Sequence, residues 1–152
     1  MVRPKLILAV LVLVFGLAAP LSAQSVGIRA GVSGDPDQFF FGGHLETGPL
    51  VDRLSFRPNL EIGFGDDVTL VAMNLEFVYS IPLRQQPWRL YLGGGPAANF
   101  YSDRGQGDGG SDVGGGFNIV IGAQHRRGLF TELKVGMIDS PDIKFAVGYV
   151  LQ

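Results

Sequence analysis

Cysteine is absent from all 152 residues. Its absence excludes a disulfide framework, a thiolate metal centre and a lipid-modified N-terminal cysteine. Charge is scarce, at 17% of the chain, and there are two histidines. Long apolar runs are missing as well: beyond Ala23 nothing approaches the ~20 residues a membrane-spanning helix requires. Neither a fixed-period repeat nor a heptad pattern nor a linker-like stretch interrupts the chain, and its length suits one domain.

The start has its own character. Arg3 and Lys5 precede an apolar run from Leu6 to Ala19, and Leu21-Ser22-Ala23 follows as a small-residue cleavage site. This is the pattern of a secretory signal peptide over residues 1–23, with an apolar core too short for a permanent anchor. The mature chain would then span 24–152. Without Arg3 and Lys5, the remaining basic residues are outnumbered by the 14 acidic ones, for a charge of about −4 that disfavours nucleic acid as a partner.

What the chain does have is glycine, 23 in all, and apolar alternation with a period of two. Such alternation is the mark of strands with two unlike faces. Eight segments result: Val26 to Ser33, Phe39 to Gly48, Leu54 to Gly65, Val68 to Ile81, Trp88 to Tyr101, Val113 to Gln124, Leu129 to Ile138 and Ile143 to Leu151. Most are near the ~9–11 residues of a tilted membrane-crossing strand, against ~5–6 for soluble strands. In the third, Leu54, Phe56, Leu60, Ile62 and Phe64 share a face, with Arg57 and Glu61 on the other. Leu70 and Val78 fall in the polar phase of the fourth. Pro58 and Pro96 each remove a ladder donor and are expected to mark bulges.

Alternation alone does not say which face meets which solvent. A soluble, periplasmic lipocalin-like calyx would turn the apolar face inward around an apolar ligand. Glycine argues for the reverse, since Gly27, Gly31, Gly63, Gly93, Gly122 and Gly148 lie in the polar phase, where a narrow lumen needs small neighbours for its long side chains. Aromatic residues of the apolar phase fall near strand ends. With the N-terminus periplasmic, Tyr79, Trp88 and Tyr149 form one belt and Phe39, Phe41, Phe64 and Phe100 the other. The longest connection, Ser102 to Asp112, then faces outward, as external loops do.

Signal, eight strands and a polar interior together resemble the small outer-membrane barrels of the OmpA/OmpX-like class. The last strand, with Phe145, Val147, Tyr149 and Leu151 on one face, is similar to the C-terminal signal read by the barrel-assembly machinery, with Leu151 where an aromatic usually stands and Gln152 overhanging. The resemblance implies an all-β, up-and-down transmembrane barrel in the bacterial outer membrane. It further implies membrane lipid and the assembly machinery as partners, no cofactor, and a structural or surface-interaction role. The class also holds lipid-modifying enzymes.

The polar phase carries Arg29, His44, Glu46, Arg57, Glu61, Glu76, Arg89, Glu132, Lys134 and Lys144. Near-balance of charge is what a closed lumen demands, and eight strands leave no room for an open pore. A two-residue Asp66-Asp67 turn sets Arg57 opposite Glu76, and the connection from Pro82 to Pro87 sets Gly93 opposite Glu76. His44 stands two residues from Glu46, with Ser55 the nearest nucleophile, but a hydrogen-bonded lumen histidine is the preferred reading over a catalytic one. His125-Arg126-Arg127 reads as a periplasmic turn, possible contacts being anionic headgroups. Asp103 to Asp112 mixes Asp and Gly without calcium-loop spacing.

Overall fold

The computed structural model describes residues 25–103 and 111–151. The signal segment, Gln152 and most of the Asp103 to Asp112 loop lie outside them. The described chain forms eight strands: β1 (Ser25–Gly34), β2 (Gln38–Glu46), β3 (Leu54–Phe64), β4 (Val68–Pro82), β5 (Trp88–Asp103), β6 (Ser111–His125), β7 (Leu129–Ile138) and β8 (Ile143–Leu151). Each pairs antiparallel with the next, and β8 closes on β1 from Val26↔Leu151 to Gly34↔Ile143. Closure removes every exposed sheet edge.

The outward row is apolar all the way round. Phe145 is 49% and Val147 48% exposed, whereas Arg57 is 1% and Glu76 0% exposed. No charged side chain occupies an outward position between the ends of the described strands. A soluble protein's largest apolar patch is typically ~300–600 Å²; this one encircles the molecule. The interior is charged, so the apolar calyx of the lipocalin-like reading is not present.

Strand boundaries follow the sequence closely, with informative exceptions. β2 stops at Glu46 because Thr47 turns the chain out of the wall: its N–H donates to Phe56 O, its hydroxyl accepts from Phe56 N–H, and Leu50 N–H closes onto Leu54 O. β5 and β6 run further than expected, pairing Ser102 with Ser111. Together these shifts cancel the expected asymmetry in loop length, since the 47–53 connection is as long as the gap between β5 and β6.

Neither proline makes a bulge. Pro58 keeps its place opposite Leu75, in one unbroken register from Leu54↔Tyr79 to Phe64↔Thr69. Pro96 pairs with Phe117, and only its β4 side is interrupted, with the same register resuming from Asn74↔Ala97 to Phe77↔Gly94. Each ring costs the ladder a rung without inserting a residue. Arg57 does fall opposite Glu76, and Gly65 N–H donates to Val68 O at the turn below. Gly93 falls opposite Val78 rather than Glu76, because the hairpin pairs Pro82 with Arg89: its centre lies one residue later than expected, which shifts the register by two.

Candidate functional site

Nine of the ten charged or imidazole side chains expected in the lumen are buried, and Arg89 is the partial exception at 35% side-chain exposure. They form one connected cluster. Glu61 receives Lys144 at 2.7 Å, Lys134 at 3.1 Å and Arg29 at 3.3 Å. Glu132 receives Arg29 at 2.9 Å, Arg57 at 3.3 Å and the Tyr91 hydroxyl at 2.9 Å. Glu76 pairs with Lys134 at 2.7 Å, and Glu46 joins Arg57 at 2.8 Å to Arg89 at 3.2 Å. Arg57 thus sits opposite Glu76 of β4 but bonds to Glu46 on β2, the neighbour on its other side, and across the lumen to Glu132 on β7.

His44 is not paired with Glu46 or Ser55. Its Nδ1 accepts from Arg29 Nη2 at 3.1 Å, which leaves any ring proton of the neutral form on Nε2. Its ring meets Phe130 edge-on at 5.4 Å between centroids. On the sheet it lies opposite Asn59, so Ser55 is four residues away along β3, roughly 13 Å.

Asn59 and Asn74 lie in the polar phase of their strands, but sequence reasoning missed the lumen aromatics and the chain of asparagines. Tyr91 lies 4.5 Å beneath the Arg57 guanidinium, Phe130 5.5 Å from that of Arg29, and Phe40 5.2 Å from the Lys144 ammonium. All three had the correct phase but stood next to outward apolar residues that hid it. Leu70 and Val78 also point inward, as their phase required. Asn118 donates to Asn74, Asn74 to Asn59 and Asn59 to Glu76, a chain that consumes the amide protons of a stretch with few carboxylates. Some of the lumen glycines make room for rings: a Cβ at Gly122 would run into Tyr91, and one at Gly27 into His44. Gly122→Val is therefore expected to lift Tyr91 from Arg57 and cost about 1–3 kcal/mol, read as a lower urea midpoint of the refolded barrel.

The two ends differ in charge. At the end of the β1–β2, β3–β4 and β7–β8 turns stand Asp35, Asp37, Asp66, Asp67, Asp139 and Asp142. At the opposite end stand Arg53, Arg84, Arg126 and Arg127; Arg53 and Arg126 line a cavity of about 790 Å³ that Arg89, Glu46 and Ser55 also line. Of the aromatic residues, Phe39, Phe41, Phe64 and Phe100 lie toward the acidic end and Tyr79, Trp88 and Tyr149 toward the basic one. Phe41 stacks on Phe64 at 5.7 Å, and Trp88 meets His125 at 4.9 Å. Phe145, Val147, Tyr149 and Leu151 form the outward row of the closing strand.

No protein-family model and no curated protein matches the sequence. Solved structures do. The N-terminal β-barrel domain of OprF from Pseudomonas aeruginosa aligns with a TM-score of 0.62 at 15% identity, over 84% of this chain and 97% of that one. Neisserial surface protein A gives 0.58 at 14%, over 84% and 94%. The outer membrane enzyme PagL gives 0.54 at 14%, over 85% and 98%. The fold is that of the small eight-stranded outer-membrane barrels, and the enzyme PagL shares it.

Proposed function

We propose that this chain is an integral protein of the bacterial outer membrane, exported by its signal segment, with a structural or surface-interaction role and no catalytic one. The observation that carries this reading is the uncharged apolar row around all eight strands, set against an ion-paired interior. Lipid tails satisfy such a row, and the closed ladder pairs the backbone groups that would face them, apart from the rungs given up at Pro58 and Pro96. The likeness to outer-membrane barrels supports the same environment. In this reading the basic end, where β1 begins and β8 ends, is the periplasmic one, and the acidic turns face outward. The β8 row serves as the assembly signal. The middle of the lumen, where Glu61 and Glu132 hold their cations, is closed to ions.

Cell fractionation and electrophoresis test it. The expected result is sedimentation with the outer membrane and a migration in detergent that changes on boiling. A freely soluble periplasmic monomer overturns the membrane reading. For the absence of catalysis, the measurement is hydrolysis of lipopolysaccharide or phospholipid by the purified barrel: any turnover that a His44→Ala variant loses overturns that part.

A further inference from the structure

The turn between β7 and β8 behaves unlike its neighbours at the acidic end. Ser140 and Pro141 are buried, whereas Asp66 and Asp67 of the β3–β4 turn are exposed. The break comes at Ile138, the last residue of β7: its φ is 66°, in the left-handed region that a β-branched residue seldom takes. Beyond it the chain runs inward over three positions of the wall that carry no side chain. A Cβ at Gly114 would run into the Asp139 side chain, one at Gly116 into the Ser140 side chain, and one at Gly136 into the Pro141 carbonyl. The fastening comes from β5, on the far side of β6. Asn99 Nδ2 donates to Asp139 O at 2.6 Å and to Ser140 Oγ at 3.2 Å, and the Tyr101 hydroxyl donates to Asp139 O at 3.0 Å. At the base of the turn, Gly136 N–H donates to Asp142 O at 3.0 Å.

We propose that residues 139–142 form a latched lid over the acidic mouth of the lumen, so that solvent enters the barrel from the basic end alone. Eight strands enclose a space that inward side chains just fill. Around this turn the wall supplies only Ala72, Ala97, Gly114, Gly116 and Gly136, and the turn provides the volume they lack. Ala97 pairs with Gly116, on which Ser140 sits, and is buried. On the other side of the mouth Gln38 of β2 reaches over β3, its Nε2 donating to Val68 O at 3.0 Å, above buried Phe40 and Leu70. The basic end has no such cover, and its cavity stays open down to Ser55 and Arg89. Backbone strain like that of Ile138 persists only where surrounding contacts hold it, and Asn99 and Tyr101 are those contacts. Without them the turn relaxes outward. The lid depends on the closed barrel and not on the bilayer around it.

The chain has no cysteine, so one introduced thiol reports one position. S140C places it on the lid, A97C beneath the lid and S55C in the open cavity. Each barrel is folded in a non-ionic detergent, checked by migration that changes on boiling, and treated with a small charged thiol reagent. The expected result is that S140C and A97C react about tenfold or more slowly than S55C, because they wait on opening of the lid. Removing the latch with N99A/Y101F is expected to speed both by about tenfold or more and to leave S55C unchanged. Gly116→Val pushes Ser140 off its seat and is expected to speed S140C likewise. Gly115→Val adds the same side chain where a Cβ meets open space, and is expected to change S140C by less than about threefold. S140C reacting as fast as S55C with the latch intact overturns the closed lid. A97C unmoved by N99A/Y101F overturns the turn as the seal, and equal effects of Gly116→Val and Gly115→Val overturn the seat. Unlatching from β5 and displacement from β6 are independent routes, so a variant of one kind that does not fold leaves the other to decide. None of these outcomes bears on the membrane reading, which fractionation tests.

Discussion

Glu61→Gln is expected to destabilise the barrel by about 3–5 kcal/mol, because it strips charge from the one carboxylate that three buried cations share. Arg29 keeps Glu132, and Lys134 keeps Glu76. Lys144 keeps nothing: among the described residues Glu61 is its only carboxylate. Its ammonium is left against the face of Phe40, at 5.2 Å, a partner too weak to replace an ion pair in a buried site. Removing the stranded cation as well, in Glu61→Gln/Lys144→Met, is expected to recover half or more of the loss. Urea titrations of the barrel refolded into vesicles measure both, provided the slope is unchanged. Arg89→Gln supplies the contrast, since that side chain is a third exposed and its pair is screened by water, so its cost is below about 1 kcal/mol. A loss for Glu61→Gln as small as that would mean the lumen is wet and its ion pairs are not what fixes it.

How far these contacts could be read from the sequence depends on their range. Period two is a local property: it assigned Arg57 and Glu76 to the lumen, and the short Asp66-Asp67 turn carried the register between them. Partner choice inside the lumen is not local. Arg57 reaches Glu132 because strands staggered around a closed wall bring side chains distant in sequence to the same height, and no pairwise pattern in the chain encodes that. The hidden aromatics show the same limit from another side. Phe40 stands between Phe39 and Phe41, and in such a run composition says "apolar" three times while phase alone says that the middle ring turns inward. Pro58 and Pro96 misled for a different reason. A missing donor can be met by an inserted residue or by a lost rung, and the sequence does not distinguish them; the uninterrupted neighbouring ladders, β3–β4 and β5–β6, hold the register and make the lost rung the cheaper answer. The cavity at the basic end escaped notice because Arg53, Arg89 and Arg126 come from three separate connections or strand ends.

Val147→Arg separates a lipid-facing row from a water-facing one more sharply than any lumen variant. Val147 lies midway along β8, between Ala30 of β1 and Thr131 of β7, and projects outward. In a bilayer, arginine at that depth is expected to cost about 2–4 kcal/mol, while the same substitution at Ile143, near the acidic end of the strand, costs about 0–1 kcal/mol. In water both would be near neutral, because an exposed strand position accepts a charge freely. The ordering, midpoint worse than end, therefore has its origin in the depth profile of the bilayer rather than in strand propensity, which is the same for both changes. Equilibrium unfolding from vesicles measures it. The same pair compared in detergent micelles should show a smaller gap, since a micelle lets the guanidinium reach water at either position. Equal costs at Val147 and Ile143 in vesicles would mean that no hydrocarbon layer surrounds the strand.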